Sequence, residues 1–67
     1  MKPTLEQIKY SIEQTEPTLS NKSKDELGTI WVLTKLNIDR QRTNSPEHNL
    51  LTKFKRKVEK AMKHAQH

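Results

Sequence analysis

The amino-acid sequence predicts an all-α fold. We expect a small three-helix domain, with helices two and three forming a long antiparallel hairpin and a shorter N-terminal helix packed across it. Three observations support this. Apolar residues recur at helical spacing in three segments, the three prolines stand at the boundaries of these segments, and a single glycine leaves no hairpin turn for a sheet. The 67 residues predict a single helical domain over residues 1–67.

The first helix is predicted over residues 4–15. Thr4 is a suitable N-cap, and Gln7, three residues later, completes a capping box. Its apolar face is narrow and consists of Leu5, Ile8 and Ile12. A helix with so little apolar surface is expected to dock on the other two. A linker over residues 16–22 follows, and its one apolar residue, Leu19, is placed to plug the end of the core.

The second helix is predicted over residues 24–42, with a second capping box formed by Ser23 and Glu26. One apolar face carries Leu27, Ile30, Trp31 and Ile38, and a nearly opposite face carries Val32, Leu33 and Leu36. Two explanations stay open for the second face. The helix lies between two neighbours within the domain, or it offers Val32, Leu33 and Leu36 as an interface to another protein chain.

The third helix is predicted over residues 46–65, with Ser45 as N-cap and Pro46 at the first helical position. The short turn at Thr43 and Asn44 predicts that it runs antiparallel to the second helix. Its apolar residues fall within an arc of roughly 120° on a helical wheel, and they are Leu50, Leu51, Phe54, Val58, Ala61, Met62 and Ala65. We expect this arc to join the apolar residues of the first helix and the Leu27 face in the core.

The net charge of +5 is concentrated at the C-terminal end, where residues 49–67 hold six basic side chains and one acidic side chain. Five cations share one flank of the third helix, and we call them the basic face: Lys53, Arg56, Lys57, Lys60 and Lys63. Arg40 and Arg42, at the end of the second helix, are expected near its start. Such a surface attracts nucleic-acid phosphates or an acidic protein groove.

The expected function is that of a small, basic, non-enzymatic regulatory protein, an adaptor or inhibitor that docks on a protein partner, possibly in a nucleic-acid context. The alternative is a protein that contacts the nucleic-acid phosphate backbone through the basic face. Sequence-specific DNA reading is disfavoured, because in the first two turns of the third helix only Asn49 suits base contacts. A membrane-surface helix is disfavoured because Trp31, the natural interfacial anchor, lies in another helix.

Enzyme chemistry is not expected. The chain has no cysteine, and its one glycine cannot form a phosphate-binding loop. His64 and His67 have helical spacing but no carboxylate nearby as a third metal ligand. We therefore predict no catalytic residues, no cofactor, no metal and no small-molecule substrate. No apolar run approaches the ~20 residues of a membrane span, so a cytoplasmic location is expected. The small core makes a homodimer a further expectation.

Overall fold

The computed structural model describes residues 4–65, which form three α-helices and one 3-10 helix. Helix α1 covers Leu5–Thr15, the 3-10 helix Glu16–Asn21, α2 Lys24–Asp39 and α3 Pro46–His64. None of the residues 4–65 lies in a β-strand. The predicted fold class is confirmed: α2 and α3 pack closely as an antiparallel hairpin, and α1 packs against α3. The outermost positions of the predicted domain, 1–3 and 66–67, lie outside the described residues.

The start of each helix is fixed by the side chain of its N-cap. The Thr4 hydroxyl accepts from the Gln7 backbone N–H at 3.2 Å, and the Gln7 side chain accepts from the Thr4 N–H at 2.9 Å. Ser23 and Glu26 make the same reciprocal pair at the start of α2. Ser45 caps α3. These bonds satisfy backbone donors that the first turn of a helix leaves without a partner, and they confirm the predicted caps.

The central helix is α3. It contacts α2, α1 and the 3-10 helix, and its broad apolar arc serves all three neighbours. Helix α2 is therefore not packed between two neighbours along its length, and its second apolar face remains exposed. The first explanation, a position between two neighbours within the domain, is wrong, because α3 and not α2 is the helix that contacts every other element.

The core lies where the 3-10 helix, α2 and α3 meet. Its central cluster is Leu19, Leu27, Phe54 and Val58, and Ile8 and Leu51 are also buried. Several other predicted core residues, including Trp31, are only half-buried and pack around this cluster. Thr34 is a buried residue that the sequence did not indicate. Its hydroxyl donates to the Ile30 carbonyl at 2.7 Å, which satisfies a polar group removed from water.

Helix α2 ends at Asp39, three residues before the predicted position 42. The Arg40 N–H already bonds to the Asn37 carbonyl at 3.2 Å, which is the tighter pattern of a closing turn. Asn44 then has a φ of 67°, in the left-handed region that asparagine tolerates better than most residues. The chain has to reverse before Ser45 so that α3 can run back along α2, and this tertiary requirement overrides the helix-forming residues that follow Asp39.

The predicted linker between α1 and α2 is instead a 3-10 helix. Pro17 lies in its first turn, where a missing N–H costs no hydrogen bond. The Thr18 hydroxyl donates to the Thr15 carbonyl at 2.7 Å and holds the turn against the end of α1. This geometry delivers Leu19 into the core, where it is only 6% exposed, so the prediction that Leu19 plugs the core is confirmed.

Candidate functional site

The outer face of α2 exposes three large aliphatic side chains, which we call the apolar strip. Val32 is 51% exposed, Leu33 56% and Leu36 51%. At about 100° per residue, Leu36 lies opposite Leu27, which packs in the core. The strip therefore points away from α3. Clustered aliphatic side chains on the surface of a small domain are typical of an interaction site.

A groove continues the apolar strip into the molecule. It runs between α1 and α2, has a volume of about 320 Å³, and includes Leu33 in its α2 wall. Its apolar lining is Ile8, Ile12, Ile30, Leu33, Leu51 and Phe54. Polar groups on both walls line the remainder: Gln7, Ser11, Thr15, Thr34 and Asn37. Because Leu33 belongs to both, the strip and the groove form one continuous surface.

Charged residues stand at the ends and along one edge of the strip. Asp25, in the first turn of α2, and Arg40, its C-cap, are both exposed. Lys35 and Asp39 lie on one edge and approach each other at 4.0 Å. Both side chains are largely exposed, so this ion pair contributes little to stability. The apolar strip thus has an acidic group at one end and a basic group at the other.

The structure brings all five residues of the basic face together on the exposed surface of α3. Lys57 forms an ion pair with Glu16 of the 3-10 helix. Within residues 4–65, no ion pair involves Lys53, Arg56, Lys60 or Lys63. Four cations are therefore available to an anionic partner. Glu59 is the only acidic residue in this part of α3.

Lys55 and Glu59 have a different environment, next to α2. The Trp31 indole N–H donates to the Glu59 carboxylate at 3.0 Å. The Lys55 ammonium lies 3.9 Å from the same carboxylate and 5.8 Å from the centre of the Trp31 ring, which is within cation–π range. These three side chains link the two helices of the hairpin. At about 100° per residue, Lys55 lies on the opposite side of α3 from Lys53, so it is outside the basic face.

The two predicted arginines are at the α2–α3 turn. Arg40 and Arg42 are both exposed, whereas Lys53 lies seven residues into α3, about 10 Å along the helix at 1.5 Å per residue. Arg40 directly follows the last residue of α2. Four residues after Leu36, it lies about 40° from Leu36 around the helix axis, on the same outer face. The geometry therefore associates Arg40 with the apolar strip rather than with the basic face.

The apolar strip and the basic face are separate surfaces. The strip lies on the side of α2 that does not face α3. Lys57 and Lys60 of the basic face line a cleft with the 3-10 helix, and only Lys63, at its C-terminal end, lines a cleft with α2, next to Lys24 and Trp31. A partner seated on one surface therefore leaves the other accessible.

Within residues 4–65, no three His, Asp or Glu side chains come together in a way that would hold a metal ion. None of the helices in that range combines the length and the apolar character that crossing a bilayer requires.

The chain matches no protein-family model, no curated protein and no solved structure.

Proposed function

We propose that this protein is a non-enzymatic regulatory protein, an adaptor or inhibitor, that docks on a protein partner through the apolar strip and the adjoining groove. The observation that carries this proposal is the half-exposure of Val32, Leu33 and Leu36 side by side on one helix. A protein that acts by covering a partner's surface needs no catalytic group of its own.

The energetics favour a protein as the occupant of this surface. Fully burying a Val or Leu side chain contributes about 1.5–3 kcal/mol, and about half of each strip side chain is still available for burial. Interfaces concentrate their binding energy in a few such apolar anchors, surrounded by polar groups that exclude water. The groove supplies both, with an apolar floor and polar side chains such as Gln7 and Asn37 along its walls.

The test is an affinity pull-down after nuclease treatment, with a variant carrying Val32→Gln and Leu36→Gln. Glutamine has nearly the helix propensity of leucine, so we expect an unchanged helical circular-dichroism spectrum together with loss of the bound protein. Tyr10→Gln is the matched control, because Tyr10 is a large side chain, 65% exposed, on α1. Retention of the protein by the double variant, or equal loss with Tyr10→Gln, would refute docking through the strip.

A second candidate function is supported by the four cations of the basic face that make no ion pair within residues 4–65. They would contact nucleic-acid phosphates without reading sequence, because lysine-rich surfaces suit backbone contact. For binding of this kind, the logarithm of the association constant falls linearly with the logarithm of the salt concentration. The slope is about −0.9 per phosphate contact on B-DNA.

The two functions are separated by a charge-reversal pair. Arg56→Glu with Lys60→Glu is expected to weaken DNA or RNA binding. The salt dependence should become shallower by the slope of about two phosphate contacts. The control is Lys35→Glu, which reverses one exposed charge on α2 outside the basic face, and it should change the salt slope much less than Arg56→Glu alone. An equal effect of Lys35→Glu and Arg56→Glu would indicate general charge attraction and contradict a binding role for the basic face.

A further inference from the structure

We infer that the apolar strip is covered by a second copy of this chain, in an antiparallel dimer with two-fold symmetry in which α2 packs against α2. This inference rests on the proposed docking role of the strip and names its partner. It follows from the order of residues along the outer face of α2, from the charges at the two ends of that face, and from the distribution of charge over the domain.

The outer face of α2 has a self-complementary order of residues. Four residues lie along this face, one or two helical turns apart: Asp25, Thr29, Leu36 and Arg40. Val32 and Leu33 lie at its midpoint. A two-fold axis placed midway between Val32 and Leu33 sets Thr29 opposite Leu36 of the second copy. The four central side chains, Val32 and Leu33 from each copy, then meet around the axis. An isologous interface requires this kind of self-matching surface.

The charges fix the direction of the two helices. Asp25 and Arg40 are equally distant from the midpoint between Val32 and Leu33, and both are exposed. Antiparallel packing therefore places Asp25 of each copy opposite Arg40 of the other. Parallel packing would set Asp25 against Asp25 and Arg40 against Arg40. Opposite charges across an interface select one register, and like charges exclude the other.

The net charge of +5 opposes association of two copies in general, but it does not oppose this arrangement. Helix α2 carries two basic and three acidic side chains, whereas α3 carries six basic and two acidic ones. Because the apolar strip lies on the side of α2 away from α3, contact through the strip keeps the two copies of α3 on opposite sides of the dimer. Exposed charges separated by more than ~8 Å are largely screened at physiological salt.

A dimer also suits the size of the core. A domain this short buries only ~60% of the surface of its unfolded chain, and oligomerisation is a common way to add buried apolar area. The dimer would direct one basic face outward on each side. It would therefore present two separate surfaces to anionic partners, which is the arrangement an adaptor needs in order to bridge them.

The test is sedimentation equilibrium of the full chain over a wide concentration range. The wild-type protein is expected to approach the mass of two chains. Asp25→Arg sets like charges opposite each other at both ends of the interface, and the reciprocal variant Arg40→Asp does the same. Each should weaken the dimer about tenfold, because two exposed ion pairs are replaced by two like-charge pairs. A mixture of the two variants restores opposite charges at both ends and should form a heterodimer.

The matched control is Glu6→Arg. Glu6 and Asp25 each occupy the second position of a helix, both are exposed, and both substitutions change the net charge equally. Glu6→Arg should therefore reproduce any loss of stability that comes from removing an acidic side chain in the first turn of a helix. It should leave the dimer intact. A chain that stays monomeric at every concentration, or a dimer equally affected by Glu6→Arg and Asp25→Arg, would overturn the inference.

The pull-down with the Val32→Gln, Leu36→Gln double variant distinguishes docking on a different protein from covering by a second copy. A monomeric chain that loses a different protein when the strip is substituted overturns the second-copy inference and supports the proposed function. A dimer with the expected charge dependence supports the inference, even where no other protein is captured on the strip.

Discussion

Valine occurs at two positions of this chain, and the two side chains have opposite environments. Val58 is completely buried in α3, whereas Val32 is 51% exposed on α2. The first contributes to folding because it leaves water when the chain folds. The second keeps about half of its surface available for a partner. At the scale of the residue, stability and the proposed binding therefore depend on different side chains, and single substitutions can separate them.

Phe54→Ala should cost about 3–5 kcal/mol of unfolding free energy, because it empties the centre of the core. Phe54 is 6% exposed and packs with Leu27 and Val58. Tyr10→Ala removes an aromatic ring that is mostly in water, and should cost much less. Urea denaturation followed by circular dichroism measures both. Similar midpoints for the two variants would contradict the assignment of Phe54 to the core.

Glu26 is predicted to make part of the stability depend on pH. The Ser23 backbone N–H and then its hydroxyl donate to the Glu26 carboxylate, and with the nearby charge of Lys22 they lower its pKa. A carboxyl whose pKa is lowered in the folded state adds stability above its unfolded pKa of about 4.3. That contribution is lost as the pH falls through the lower, folded pKa.

The measurement compares the wild-type protein with Glu26→Gln in denaturant titrations from neutral to acidic pH. The free energy of unfolding of the wild-type protein should exceed that of Glu26→Gln most near neutral pH. The difference should shrink below pH ~4.3. The capping box of α1 has the uncharged Gln7 at the equivalent position, so Gln7→Glu should introduce a similar pH dependence there. A difference between wild type and Glu26→Gln that stays constant with pH would contradict the proposed effect.

At the scale of the element, the helix starts are encoded locally and the helix ends are not. Thr4, Ser23 and Ser45 cap their helices with hydrogen bonds to residues three positions away, so the sequence alone was sufficient to predict them. The end of α2 at Asp39 depends on where α3 must begin its return. The groove depends on how far α1 stands from α2, and no local pattern in the sequence reports that distance.

Gly28→Ala is expected to stabilise the protein by about 0.5–1 kcal/mol, because alanine loses less backbone entropy in a helix. Gly28 lies within α2, and a methyl group added there would meet no atom within 4 Å. It is also outside the apolar strip, so binding should be unaffected. Thermal unfolding measures the effect, and a decrease in the melting temperature would show that α2 does not have the described geometry at this position.

Asn44 should respond in the opposite way to alanine. Its φ of 67° disfavours residues with a Cβ by about 1–2 kcal/mol, although asparagine tolerates it. We expect Asn44→Ala to destabilise the protein and Asn44→Gly to be neutral or stabilising in the same unfolding assay. Equal stability of the two variants would contradict the left-handed turn between α2 and α3.

At the scale of the whole molecule, two surfaces of different chemistry point in different directions. The domain measures 34 × 19 × 18 Å. The sequence predicted both groups of residues, because charge and apolar periodicity can be read along a helix. It could not decide whether Val32, Leu33 and Leu36 were buried, because their exposure depends on α3 and not α2 being the central helix.

The central claim is that the apolar strip is covered by protein, and site-specific photo-crosslinking tests it most directly. A photoreactive phenylalanine analogue would replace Leu36 in one protein and Tyr10 in a second, both exposed positions on different helices. We predict one discrete covalent product from position 36 in nuclease-treated samples, with the mass of two chains where the partner is a second copy, and none from position 10. Weak, diffuse labelling that is the same at both positions would contradict the claim.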